Sequence, residues 1–220
     1  MRGRVGPGEG DDKSIRILNR IITWTEEGLF YEGDQRHVEI ASDALGFNER
    51  IRSVVTPAER SKLEENKLSV LEKRGATKYR GLVARSNYLG KDRSDIQYAV
   101  KELGSAMANP TNIDMGKVKR CIRYLIGAPR CIVPFRYQKY VGNIVAWSDS
   151  DFAGCAKSRK STSGGVILFG GCVIKSYSST QSVRALSSGE AEYYALVKAA
   201  CGAMGIRALI TTHSSPAHSK

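Results

Sequence analysis

Apolar and polar positions follow two rhythms along this chain, one with the period of helices and one with the period of strands. Ile15 to Thr25 and Leu29 to Glu32 are runs of strand-forming residues around Glu26-Glu27-Gly28, which predicts a β-hairpin. Behind Asp34 as a cap, Val38, Ala41 and Leu45 recur at helical spacing, and Gly46 offers a left-handed stop. From residue 48 to 78 the pattern weakens into a charged stretch around Thr56-Pro57, the best linker candidate. Tyr79 to Leu89 is a helix candidate. In the next helix Ser94 and Gln97 read as a capping box, and Ile96, Ala99, Val100, Leu103 and Met107 draw the apolar stripe. Asn109-Pro110 ends it. A third helix, Asp114 to Ile126, turns Met115, Val118, Ile122 and Leu125 inward and gathers Lys119, Arg120 and Arg123 on another face.

After Pro129 the rhythm changes to short β-rich segments, Ile132 to Tyr137, Ile144 to Ser148, Val166 to Phe169 and Cys172 to Ile174. Gly170-Gly171 between the last two is a two-residue hairpin signal. Ser187 with Glu190 makes a capping box that opens a final helix, expected to run to about Leu209. The polar stretches 1–14 and 211–220 read as a disordered leader and tail.

Composition narrows this picture. A chain of 220 residues with 41% hydrophobic residues can pack one large domain or two small ones. Its formal charge of +12 favours a polyanionic partner, because clustered Lys and Arg release counterions from phosphate backbones. Cys121, Cys131, Cys155, Cys172 and Cys201 form no CxxC pair and are odd in number, against a disulfide framework or a zinc site. No apolar run approaches the length of a membrane span, and no signal peptide is recognisable. Reduced thiols fit a cytoplasmic or nuclear setting. The sequence leaves the oligomeric state open.

Candidate chemistry is concentrated near two blocks. Trp147 to Gly154 puts Asp149 and Asp151 at the end of an apolar strand, where alternation turns both to one side. The pair reads either as metal ligands or as a strand-to-turn Asp pair. Glu192 shares a helix face with Ala195, Leu196 and Ala199, so it is either aimed at the sheet, where it can meet Asp149, or a helix-edge Glu reaching water. Carboxylates brought together are stable when protonated or when they share a divalent cation. Lys119, Arg120 and Arg123 are either phosphate contacts or an ordinary solvated helix face.

The stretch Ser148 to Gly154, then Arg159 to Gly165, then Gln181 and Ala185 to Tyr193, resembles the ribonuclease H domain of copia-class retrotransposon Pol polyproteins. Upstream, Tyr79-Arg80, Arg93 to Ile96 and Lys119 to Leu125 resemble the polymerase segment that precedes it, and Leu18 to Arg20 and Asp34 to His37 extend the likeness. The resemblance implies an α+β or α/β chain, with a small helical connection region followed by a truncated ribonuclease H-like fold, a three-strand antiparallel meander plus a helix. The implied division is a reverse transcriptase-like hairpin and helix over 15–47, a linker over 48–78, a helical thumb or connection region over 79–130, and the ribonuclease H-like part over 131–210. It also implies two-metal hydrolysis of RNA in an RNA/DNA hybrid with Mg²⁺. By motif position Asp149 matches the first catalytic acid and Glu192 the second, while Asp151 is a possible further ligand.

The chain departs from the family pattern in several places. That pattern carries two later aspartates, and this chain has no aspartate after Asp151, so hydrolysis is expected to be absent or very weak. The only Asp-Asp is Asp11-Asp12 in the leader, which gives no reverse transcriptase active site. Phe152 and Tyr177 stand where many relatives have Trp, and they keep an aromatic surface.

Overall fold

A computed structural model describes residues 4–48, 51–59, 69–139, 142–155 and 157–214 of the chain. They fall into two units, Met1–Pro134 and Phe135–Lys220. In the first, β1 (Ser14–Ile17), β2 (Arg20–Thr25) and β3 (Gly28–Glu32) form an antiparallel meander, and β4 (Ile132–Arg136) lies beside β3 in the same sheet. The run from Ile15 to Thr25 is two strands because Leu18 and Asn19 both take left-handed φ, 50° and 64°, and reverse the chain. The sequence assigned β4 to the C-terminal part. Alternation marks a strand but says nothing of its partner, and here the partner is β3.

The expected leader is not featureless. Asp12 N–H donates to the Arg4 carbonyl at 2.8 Å, and Lys13 Nζ donates to the carbonyls of Gly6 and Pro7 at 3.0 and 3.1 Å. Residues 1–3 lie outside the described residues, as do 60–68 of the expected linker. Residues 49 and 50 lie outside them too, whereas residues 69–71 run beside Pro110 to Asn112 and the next helix begins at Lys73.

Four helices build the core of this unit: α1 (Arg36–Leu45), α2 (Lys73–Leu89), α3 (Gln97–Ser105) and α4 (Asn112–Gly127). Tyr79, Val83, Ile96, Val118, Ile122 and Leu125 are fully buried among them. The Tyr79 hydroxyl stays paired by donating to the Leu103 carbonyl at 2.7 Å. Ser94 and Gln97 do not make a capping box. Ser94–Ile96 is a 3₁₀ turn, and Gln97 Nε2 donates instead to the Gly90 carbonyl. The true box is at Thr111, whose hydroxyl accepts from Asp114 N–H while the Asp114 carboxylate accepts from Thr111 N–H.

Polar links tie the strands of this unit to its helices. Asp92, just past α2, accepts both Arg20 Nε (3.0 Å) and the Tyr31 hydroxyl (2.6 Å), one from β2 and one from β3. Gly33 leaves room for this, because a Cβ there would sit 2.8 Å from Asp92 Cβ. Arg130 clasps Glu32 with two hydrogen bonds of 2.8 and 2.7 Å.

In the second unit β5 (Ile144–Asp151), β6 (Thr162–Phe169) and β7 (Cys172–Thr180) form an antiparallel meander in sequence order. Gly170, at φ 58°, turns β6 into β7. Along β6, Gly165 is opposite Tyr177, and a Cβ at Gly165 would strike the Tyr177 ring at 2.5 Å. Helix α5 (Ser188–Ser214) lies along β5 and β6, burying Ala191, Ala195 and Ala199. Ser187 Oγ accepts Glu190 N–H at 3.1 Å, and the Glu190 carboxylate accepts Leu186 N–H at 2.7 Å, which fixes where the helix starts. It outruns Leu209 into the expected tail, of which 215–220 lie outside the described residues.

The expectation that no apolar run nears a membrane span needs correcting for α5. Ser188–Thr212 is long and apolar enough to cross a bilayer by length and composition alone. Such length and composition also belong to a helix packed on a sheet, as α5 is on β5 and β6.

Candidate functional site

The acids singled out in the sequence meet at one end of β5. Strand alternation sets Ala146, Ser148 and Ser150 toward α5 and leaves Val145, Trp147 and Asp149 on the other, exposed face. Glu192 stands in the first turns of α5, and one of its carboxylate oxygens accepts both Ser150 Oγ (2.8 Å) and Ser150 N–H (3.3 Å). A strand N–H that reaches a helix side chain points along the free edge of its sheet, and β5 is the edge strand of this one. Glu192 therefore fills a vacant ladder position there.

Glu192 thus sits beside the residue that follows Asp149, and strand alternation turns the Asp149 side chain to the face away from Ser150. Glu192 takes up Ser150, a residue the sequence did not single out. The signal was available in the alternation itself, since a helix-borne acid must meet residues of the helix-facing parity. Asp151 shares the parity of Asp149 but is committed to the turn that follows. Gly154 is folded so closely on it that a Cβ there would collide with the Asp151 carboxylate, and Ala153 takes a left-handed φ of 50°. Among the described residues no three His, Cys, Asp or Glu side chains gather as a metal-binding group.

A buried polar set holds the acid-bearing ends together. Ser161 Oγ accepts Ala153 N–H at 3.0 Å, tying the turn after β5 to the start of β6. Gln181 Nε2 donates to Ser163 Oγ (3.0 Å) and to the Ala191 carbonyl (2.8 Å), tying β6 to the first turn of α5. Ser161, Ser163 and Gln181 are all buried, and Gln181 Oε1 has no hydrogen-bond partner among the described residues. These residues belong to the motif blocks that carried the family resemblance, and their contacts give those blocks a structural reason. Tyr177 packs over Gly165 beneath Lys198, whose ammonium is 5.1 Å from the ring centre, and burial pushes the Tyr177 hydroxyl pKa up.

The basic trio of α4 belongs to the first unit and is differently placed. Arg120 pairs with Glu59 at 2.7 Å and donates to Thr56 Oγ1 at 2.9 Å, while Arg123 donates to the Arg52 carbonyl at 2.7 Å. Segment 51–59 thus runs along the face the sequence offered to phosphates, and of the three only Lys119 is fully exposed. In the second unit Lys157 and Arg159 are exposed in the loop just beyond Asp151.

Comparison with known proteins gives the chain its relatives. No family profile matches it, and no solved structure matches it. It is 35% identical over 135 residues to the retrovirus-related Pol polyprotein from transposon RE1 of Arabidopsis thaliana, which covers 61% of this chain and 9% of that polyprotein. An uncharacterized mitochondrial protein of Arabidopsis thaliana is 38% identical over 119 residues, 54% of this chain and 49% of that protein. Secreted RxLR effector protein 161 of Plasmopara viticola is 35% identical over 107 residues, 49% of this chain and 75% of that protein. The chain spans about half or less of the first two. It is a homologue of these proteins, and several of its relatives at 34–35% identity are named retrovirus-related Pol polyproteins from transposons.

Proposed function

We propose that this chain is a reverse transcriptase and ribonuclease H-related segment of a retrotransposon Pol protein that binds RNA/DNA hybrid without hydrolysing it. The observation that carries this reading is the seat of Glu192 on the edge of β5, one residue from Asp149. A meander whose first strand ends in an acid, with a second acid brought to that end by the following helix, supports a ribonuclease H-like origin. The same geometry argues against turnover. Two-metal hydrolysis needs carboxylates enough to offset two divalent ions and to fix their spacing. Here Glu192 is engaged by Ser150, strand alternation turns Asp149 to the other face, and Asp151 is held in its turn. Such a donor set does not fit a Mg²⁺ pair.

Affinity without turnover rests on the positive charge of the chain. Lys119 on α4, and Lys157 and Arg159 in the loop beyond Asp151, are exposed, whereas Arg120 and Arg123 are engaged by segment 51–59. The test is a titration of labelled RNA/DNA hybrid at several salt concentrations. Binding should weaken steeply with salt. Lys157→Ala with Arg159→Ala should lower both the affinity and the salt slope, and indifference to both would overturn the reading.

The free edge of β5 favours a second reading, in which another chain supplies a strand and the further acids there. Mixing with a longer Pol segment would then create Mg²⁺-dependent cleavage that neither protein shows alone. No gain on mixing would remove it.

A further inference from the structure

Helix α5 has two apolar faces of different kinds. Toward the sheet it presents small residues: Ala191, Ala195 and Ala199 are buried, and a Cβ on Gly202 would meet Ile167 at 2.7 Å. At about 100° per residue, the opposite side carries Glu190, Tyr193, Val197, Ala200, Met204 and Arg207. These positions alternate three and four residues apart, the spacing of a seam between paired helices. Tyr193, Val197 and Met204 are 63%, 41% and 70% exposed, with Leu196 beside them at 57%. Large side chains at seam spacing on an exposed helix are unusual for a surface that stays in water.

We propose that this seam joins two copies of the chain, their α5 helices packed antiparallel. The charges at its ends select the partner and the direction. Glu190 stands at one end and Arg207 at the other, and the seam residues are symmetric about the midpoint between Lys198 and Ala199. Two antiparallel copies in that register set Glu190 of each beside Arg207 of the other, Tyr193 beside Met204, and Val197 beside Ala200. Parallel copies would set Glu190 against Glu190 and Arg207 against Arg207, which costs rather than helps. A helix pair of this length buries on the order of 1,000 Å², the low end for a specific association, so the dimer is a weak one.

The full chain is tested by sedimentation from low to high micromolar concentration. The mass should rise from 24.1 kDa toward twice that value. Val197→Glu with Met204→Glu should hold the protein at monomer mass while leaving its circular dichroism unchanged. Arg207→Glu alone and Glu190→Arg alone should each weaken association by roughly tenfold, and an equimolar mixture of the two should restore it. Because Glu190 also accepts Leu186 N–H, Glu190→Arg is paired with its own melting curve. Recovery on mixing is a result that a merely unfolded variant cannot give. A wild-type chain that stays monomeric throughout would overturn the proposal. So would self-association indifferent to Arg207→Glu, or a seam that binds phospholipid vesicles and forms no dimer.

Discussion

A single step along β5 moves a side chain from one face to the other, and this decides what each acid can do. Ser150 faces α5 and receives Glu192, while Asp149 faces away. A double-mutant cycle on urea midpoints should therefore find coupling of about 0.5–1 kcal/mol between Ser150→Ala and Glu192→Ala, an exposed charge-assisted hydrogen bond. Asp149→Asn should cost less than about 0.5 kcal/mol and show no coupling to Glu192. Stronger coupling of Glu192 to Asp149 than to Ser150 would contradict the geometry. The sequence disclosed both acids through their motifs, but assigning a face needed the strand register. In the first unit Arg93, only 5% exposed, donates twice to Asp95 and once to the Ala128 carbonyl. Burial works to raise the Asp95 carboxyl pKa, but hydrogen bonds from Arg93 and Tyr124 outweigh it and hold the group below its usual value. The carboxylate is thus bound more tightly in the folded state than in the unfolded one. Its contribution is fully present above the ordinary Asp value of about 3.9 and is lost as pH falls through the lower folded value. Glu32, held down by Arg130, and Asp34, held down by Arg36, act in the same direction. Acid titration followed by circular dichroism should show the first unit losing stability below about pH 4. Asp95→Asn should cost about 3 kcal/mol by stranding the Arg93 charge, and should flatten that acid limb.

Elements were legible where local chemistry alone sets them. The Gly170-Gly171 turn and the Ser187 cap with Glu190 stand where the sequence put them, because a left-handed turn and a helix start are decided within a few residues. Ser94 misled because the same few residues were claimed from outside, with Arg93 drawn to the Ala128 carbonyl and Gln97 to Gly90. Thr111 was overlooked because Asn109-Pro110 reads as the end of one helix rather than the approach to another. Thr111→Ala should cost about 1 kcal/mol of first-unit stability, read as a lower urea midpoint with an unchanged slope. At β6, Gly165→Val should lower the melting temperature, and pairing it with Tyr177→Ala should recover part of the loss by clearing the ring from the new side chain. The partner of β4 was beyond reach, since a five-residue strand carries no mark of which sheet it joins.

At the scale of the whole molecule, the chain divides after Pro134, a few residues beyond the change in rhythm at Pro129, into one unit of helices and a sheet and another of a meander and a helix. The charge of the chain announced a polyanionic partner but not where it would touch. Segment 51–59 shows why: it has no periodic pattern, yet it occupies two of the three cations that a helical wheel of α4 offers to phosphates. The proposal joins two things, binding of RNA/DNA hybrid through the positive charge of the chain and no turnover at the acids around β5. One measurement tests that combination most directly. Labelled RNA/DNA hybrid is incubated with the full chain and Mg²⁺, and bound and cleaved fractions are read from the same samples, with Asp149→Asn alongside. A retarded, uncut hybrid is expected in both proteins, released by salt. Mg²⁺-dependent cleavage by the natural sequence that disappears in Asp149→Asn would contradict it.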